Sequence, residues 1–392
     1  MDEQTRRYLR GRFGDYYRRS EVAGPPDAGA REWGYIPWTA GPDTRMIRHR
    51  SLLDLGDFAE FLAQERPQHL YYSAACYDDP GASRMAEKGW RRSDLIFDLD
   101  ADHLPSVTLG EDSYAQMLAK CKTELQELLD FLERDFGFSE LSVVFSGGRG
   151  YHVHVRDDAV GALESDQRRE IVDYVRGTGL DYESLLSREV VAGSAGRRSP
   201  AEKRTLPTGG GWGRRTHDAL LELCEALQES EREDALERLQ EHDRFGEQRA
   251  EAALSAFEAN TEAVRAGNVD VHRSLNTLAR QVAADVAEQE HAHVDEPVTT
   301  DTRRLIRLPG SLHGGSGLCV TPLERAEVEN FDPLSDAIPE PFRDHDIAIE
   351  ITDGGELSLG GETFTLTEGQ TRIAEYVAIF LMARGRAEKA KE

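Results

Sequence analysis

The sequence predicts an α/β (α+β) protein whose α/β core is made by residues 1–160 and 291–392, with a mainly helical insertion at 161–290. Three observations carry this reading. The run Leu95-Ile96-Phe97-Asp98-Leu99-Asp100 has the length and apolar content of a buried strand, and Leu141 to Phe145 and Tyr151 to Val155 form two more around a glycine turn. Tyr114 to Phe136 has the spacing of an amphipathic helix. Residues 161–290 are acidic and helical in pattern, broken from Gly193 to Thr216 by a Gly/Pro-rich loop, and Leu305 to Leu308 then resumes the strand pattern. Residues 1–75 alternate helical patterns with loops, broken at Gly24, Pro25, Pro26 and from Pro37 to Pro42. Asp344 to Leu366 reads as short strands with glycine turns, and Thr371 to Arg384 as a closing amphipathic helix.

A chain of 392 residues with 39% hydrophobic content can bury a sizeable core in one large or two ordinary domains. It has no apolar run of membrane-spanning length, and Met1 to Arg12 is charged, so a cytoplasmic protein is expected. Cys76, Cys121, Cys224 and Cys319 stand far apart and are expected to be reduced core thiols. Asp and Glu number 73 against 47 Lys and Arg, a net charge of −26, and only six of the basic residues are Lys. A carboxylate-rich surface of this kind suits concentrated salt, where the screening length falls to roughly 3 Å at 1 M, and points to a halophilic host. The same charge argues against nucleic-acid binding unless basic residues are gathered locally.

Strand periodicity puts Phe97 and Leu99 on one face and both Asp98 and Asp100 on the other. Like charges side by side are costly without a cation between them, and oxygen-only ligands select Mg²⁺ or Mn²⁺. A second constellation, Ser146-Gly147-Gly148-Arg149-Gly150-Tyr151-His152-Val153-His154, places a glycine turn between two strands. There the backbone can approach a phosphate and Arg149 can pair with its oxygens. The third runs from Val294 to Gly317. In it Arg307 alternates with Ile306 and Leu308, and Ser311 and His313 follow a Pro-Gly turn.

Taken in this order, the three segments resemble the catalytic small subunit of archaeal and eukaryotic DNA primase, whose signature is a D-x-D strand, S-G-G-R-G-x-H, and a distant aspartate leading into R-L-I-R-x-P-x-S-L-H. Smaller agreements lie at Arg31 to Tyr35, Arg48, Tyr71 to Ala74 and Met85 to Trp90, so nearly the whole chain is covered. The resemblance implies a mixed-sheet catalytic fold with a helical subdomain. It implies that Asp98, Asp100 and Asp295 hold two Mg²⁺ or Mn²⁺ ions, with Asp295 favoured over Asp301 by its spacing to His313. It also implies that Ser146, Arg149, His152, Arg307 and His313 hold the nucleotide phosphates, with Arg48 and Glu32 in the same pocket. The implied activity is template-directed synthesis of short RNA primers from nucleoside triphosphates on single-stranded DNA, in a heterodimer with a primase large subunit, with the choice between RNA and DNA primers left open. A repair-type primase-polymerase acting without that partner is the alternative, and a non-catalytic replication scaffold a third reading.

Two local expectations complete the sequence reading. The segment Arg197 to Arg215 holds six basic residues against Glu202 alone, so Arg197, Arg198, Trp212, Arg214 and Arg215 are candidates for template contact. Members of the resembled family carry a zinc knuckle between the D-x-D strand and the glycine turn, but Ala101 to Phe145 offers only His103 and Cys121 as nitrogen or sulfur ligands. A closed structural zinc site is therefore not expected. A short acidic loop, Asp102 to Asp112, held by Met117, Leu125 and Leu129, is expected in its place.

Overall fold

Apolar and aromatic residues concentrate in four stretches, His69–Tyr77, Leu95–Asp100, Leu141–Phe145 and Gly150–Val155, and these become the strands that position the site. The structure, a computed structural model, describes residues 1–39, 45–191, 201–242 and 245–391. These divide into two compact units: Met1–Leu125 with Phe138–Val172 and His293–Glu392, and Gln126–Gly137 with Asp173–Ala292.

The first unit holds two principal sheets. One has the order β10 (Leu305–Arg307), β3 (His69–Tyr77), β1 (Arg31–Ile36), β2 (Ile47–Arg50), with β4 (Trp90–Ser93) also paired to β3. The other has the order β11 (Thr321–Leu323), β6 (Leu141–Phe145), β7 (Gly150–Val155), β5 (Leu95–Asp100). The α/β class stands as expected, and every pairing within these two sheets is antiparallel. On β5 the side chains of Leu95, Ile96, Phe97 and Leu99 are buried while Asp98 and Asp100 are partly exposed. The central strand β7 is buried along its length, so His152 and His154 lie inside the protein.

The C-terminal region departs from the sequence reading. Residues Gly369–Ala374 form β15, which pairs with β12 (Asp346–Ile351), and β16 (Ala387–Lys389) lies on the other side of β12. The hairpin β13 (Gly355–Leu359) and β14 (Glu362–Leu366) lies between β12 and β15 in the chain. The helix begins only at Glu375 and runs to Ala383. It is not amphipathic, because Val377 through Met382 are all buried. A helix apolar on every side belongs inside a core, and the strand before it was hidden because Thr371 and Arg372 carry no apolar alternation.

The second unit contains the hairpin β8 (Ser187–Val191) and β9 (Ala201–Thr205) and the helices Gly211–Glu229, Arg232–Gln240, Glu247–Arg265 and Arg273–Gln289. Its core includes Leu220, Cys224, Leu227, Leu275, Leu278 and Val282. Of the expected Gly193–Thr216 loop, Ala201–Thr205 form β9 and the residues from Gly211 begin a helix, while 193–200 lie outside the described residues. Gly211, at φ +72°, turns the chain into that helix, so these glycines mark a helix entry. The insertion expected from residue 161 begins at Asp173 in the structure. The reason is Arg168, 1% exposed, whose guanidinium donates to the carbonyls of Asp94 (2.8 Å) and Ser93 (2.9 Å) and ties its helix to the first unit. All four cysteines are free, and three of them, Cys76, Cys121 and Cys224, are buried. Among the described residues no helix is long and apolar enough to cross a membrane.

Candidate active site

The ladder between β5 and β7 sets Asp98 opposite His152 and Asp100 opposite Gly150. A Cβ at position 150 would lie 1.8 Å from the Leu99 carbonyl oxygen, so only glycine lets the two strands meet there. Gly147, at φ +73°, likewise admits the His313 side chain, whose Cβ a side chain at 147 would meet at 2.6 Å. Two glycines of the S-G-G-R-G turn therefore serve close packing of the site's own walls.

Asp295 stands at the N-terminus of the short helix Glu296–Thr300 without a side-chain capping bond, and its N–H donates to the Asp98 carbonyl at 3.0 Å. Burial, then the charges of Asp100 and Asp295, push the Asp98 carboxyl up to about 7, against a smaller opposing pull from Arg304 and Arg307. The three carboxylates thus feel one another, although among the described residues no three His, Cys, Asp or Glu side chains close on a single point. A repelling set of oxygen donors fits a hard divalent cation, Mg²⁺ or Mn²⁺, better than zinc.

Two adjoining cavities share Arg307 in their walls. One, of about 370 Å³, is lined by Asp98 and His152 together with Arg48, Tyr71, Asp301 and Arg304. The other, of about 350 Å³, is lined by Asp100, Ser146, Arg149 and His313 together with Ser316 and Arg384. In the second, the Ser146 hydroxyl accepts from the Gly148 N–H (3.2 Å), and the Ser316 hydroxyl donates to the Gly147 carbonyl (2.5 Å) and lies 3.1 Å from His313 Nδ1. Arg149 pairs with Asp102, and the Tyr114 hydroxyl donates to the Gly148 carbonyl.

Several residues take places that the sequence did not foresee. His152 lies beside Asp98, with Nε2 3.5 Å from a carboxylate oxygen, and not with Ser146 and Arg149. Burial first, then Arg307 and Arg304, push its pKa down to about 3, so the ring is neutral. Glu32 is fully buried and faces Arg48 Nε (3.2 Å), the His49 N–H (3.1 Å) and Lys88 Nζ (3.5 Å); it steadies Arg48, which itself lines the cavity. Asp301 also lines that cavity and accepts from the Arg303 N–H at 2.9 Å. Arg304, Arg384, Tyr114 and Lys88 were missed. The Arg303-Arg304 pair before the strand was a readable signal, whereas nothing in the sequence distinguished Arg384 on its helix.

The expected template contacts need correction. Arg197 and Arg198 lie outside the described residues. Trp212 is 2% exposed and its indole N–H donates to the Tyr174 carbonyl at 2.9 Å, so it offers no face to a base. Arg214 pairs with Asp130 (2.9 Å) and Asp218 (3.1 Å). Arg215 is buried between Asp130 (2.6 Å) and Asp135 (3.3 Å), with its guanidinium 3.7 Å above the Phe131 ring. These cations are neutralised inside the helical unit, which composition alone could not show.

In the interval where a zinc knuckle would stand, Cys121 is fully buried with Sγ 3.6 Å from the Leu99 carbonyl, and His103 is exposed. Asp102 is engaged by Arg149, and Asp112 by Lys120 and the Thr108 N–H, both at 2.7 Å. Met117, Leu125 and Leu129 are buried on the following helix.

A carboxylate-lined cavity is thus joined through one arginine to a second cavity rich in guanidinium and hydroxyl groups. The chain matches the family described as DNA primase small subunit over residues 97–325, which takes in both carboxylates of β5, the helical unit, Arg307 and His313. It is 60% identical, over the whole of both chains, to the DNA primase small subunit PriS of Haloarcula marismortui, and 58% identical over the same extent to that of Halobacterium salinarum. The PriS of Methanothrix thermoacetophila is 43% identical over 99% of this chain and all of the relative. The chain belongs to the DNA primase small subunit family.

Proposed function

We propose that this chain is the catalytic subunit of a DNA primase, a nucleotidyltransferase that makes short RNA primers on a single-stranded DNA template. The observation that carries the proposal is Arg307, which stands in the walls of both the Asp98 cavity and the Ser146–Arg149–His313 cavity. A guanidinium there can hold a phosphate group between the carboxylates and the glycine turn. Asp98, Asp100 and Asp295 would hold Mg²⁺ or Mn²⁺, which when bound supplies charge neutralisation for nucleophile and leaving group in phosphoryl transfer. Ser146, Arg149, Arg307 and His313 would bind the triphosphate. The neutral His152 would orient Asp98 and not carry charge to a phosphate, and Arg48, held by Glu32, would face the nucleotide from the opposite wall. The relatives' designation as small subunits supports a heterodimer with a large subunit. An acidic chain of net charge −26 would meet its template through such local arginines more than by long-range attraction.

The decisive experiment is synthesis on single-stranded DNA from labelled nucleotides with Mg²⁺ or Mn²⁺, in molar KCl, with and without the large subunit. Template-dependent oligonucleotides are expected from the wild type and none from Asp98→Asn. Extension only of a supplied primer, with no need for the large subunit, would favour the repair-type primase-polymerase, and the absence of any product in every arm would favour a scaffold.

A further inference from the structure

The second cavity has a wall that the family signature does not include. Arg384 is the C-cap of the buried helix Glu375–Ala383. Its guanidinium lies 4.6 Å over the Tyr114 ring and 5.4 Å from that of Phe380, and among the described residues it makes no side-chain hydrogen bond or ion pair. Tyr114 in turn holds the Gly148 carbonyl, so the ring that carries Arg384 also fixes the S-G-G-R-G turn. Beyond this cavity lies another of about 500 Å³, and the two share Tyr114, Arg149 and Arg384 as common walls, with Arg386 on the far side.

The charges make this an anion site. Arg149 has Asp102 as a direct partner, and Arg386 is held by Asp353 at 3.3 Å, but Arg384, which feels both of these guanidinium groups and Asp102 at a distance, has no ion pair of its own among the described residues. Burial first, with repulsion from Arg149 and Arg386, lowers its pKa from the ordinary arginine value against an opposing pull from Tyr114 and Asp102. A guanidinium stacked on an aromatic ring, without an ion pair and in the wall of a cavity shared with Ser146, Arg149 and His313, is suited to an anion. A triphosphate supplies one, because its reacting phosphorus must lie near Asp98 and Asp100 while its distal phosphates run on past Ser146 and Arg149.

We infer that Arg384 binds the terminal phosphate of the incoming nucleoside triphosphate, and afterwards the pyrophosphate product, as an extension of the cradle made by Ser146, Arg149 and His313. The inference rests on the primase reading of the site. A cation at a helix C-terminus also interacts favourably with the helix dipole, so a purely structural role must be told apart.

The test is equilibrium binding of a nucleoside triphosphate, the matching monophosphate and inorganic pyrophosphate, each with Mg²⁺, to wild type, Arg384→Gln and Arg384→Lys, alongside thermal melting and primer synthesis. Arg384→Gln should weaken triphosphate and pyrophosphate binding about tenfold, equivalent to about 1.4 kcal/mol. Monophosphate affinity and melting temperature should stay unchanged, KM should rise with little change in kcat, and Arg384→Lys should recover part of the loss. Unchanged pyrophosphate affinity in Arg384→Gln, or an equal loss for monophosphate and triphosphate, would overturn the role of Arg384 while leaving primase activity standing. A wild type that binds pyrophosphate at Arg384 yet makes no template-directed product would overturn the primase reading alone.

Discussion

The main-chain N–H of Asp295 donates to the carbonyl oxygen of Asp98 at 3.0 Å. This bond brings a carboxylate from a short helix far along the chain to the strand that carries the D-x-D pair, and it does so through backbone atoms, which substitution of either side chain leaves in place. Asn replacements at Asp98, Asp100 and Asp295 should therefore each abolish primer synthesis with the fold intact. Asp98→Asn should melt at or above the wild-type temperature, since it removes a buried charge repelled by two neighbours. Asp301→Asn should retain measurable synthesis. Near-normal activity with Mg²⁺ in any of the first three would reject the metal-ligand assignment.

Trp212 and Arg215 should behave as core residues. Trp212→Ala is expected to lower stability by about 3–5 kcal/mol, the usual range for a large aromatic cavity. Arg215→Ala should cost several kcal/mol as well, because it leaves the buried Asp135 without its cation. Denaturant melts in constant KCl provide the measurement. If either variant keeps full stability and loses template affinity, the burial argument is mistaken.

His154 supplies a pH signature. It is 0% exposed, both ring nitrogens lack a partner among the described residues, and its ring lies parallel to Tyr72 at 6.4 Å. Burial first, then Arg156, His152 and Arg31, hold its pKa well below 6.5, so the folded protein keeps it neutral while the unfolded chain takes a proton near 6.5. Below that pH the unfolded state binds more protons, and stability falls as pH drops; above it this residue contributes no pH dependence. His154→Phe should match or exceed wild-type stability at pH 7.5 and lose less on going to pH 5. Parallel stability curves for the two proteins over that range would show that His154 is not the source.

Salt should stabilise the protein. With a net charge of −26, the surplus carboxylates repel one another in dilute buffer and are screened in molar KCl. The melting temperature should climb steadily between those conditions. A flat or falling profile would contradict the halophilic reading.

Cys121 should prove dispensable. Its thiol is buried against the Leu99 carbonyl, and burial raises its pKa, which disfavours the thiolate that zinc requires. Cys121→Ser should fold and synthesise normally, and elemental analysis of the wild type should find no stoichiometric zinc. One zinc per chain, lost together with stability in the variant, would reverse this conclusion.

The sequence by itself determined the strands and their chemistry. Alternation along Leu95–Asp100 dictated that both carboxylates share a face, glycine content marked the turn at Gly147–Gly150, and the amphipathic helix Tyr114–Asp130 followed from its periodicity, because each of these depends on neighbours a few residues apart. Tertiary structure alone decided which distant groups meet. It set Asp295 against Asp98, placed His152 with Asp98 instead of with Arg149, and buried Trp212 and Arg215 in a segment whose composition resembled an exposed basic loop. It also carried Arg384, on a helix with no recognisable signature, to the wall of the phosphate cavity. Charge pairing and burial across such separations depend on how the whole chain packs, and no local pattern encodes them.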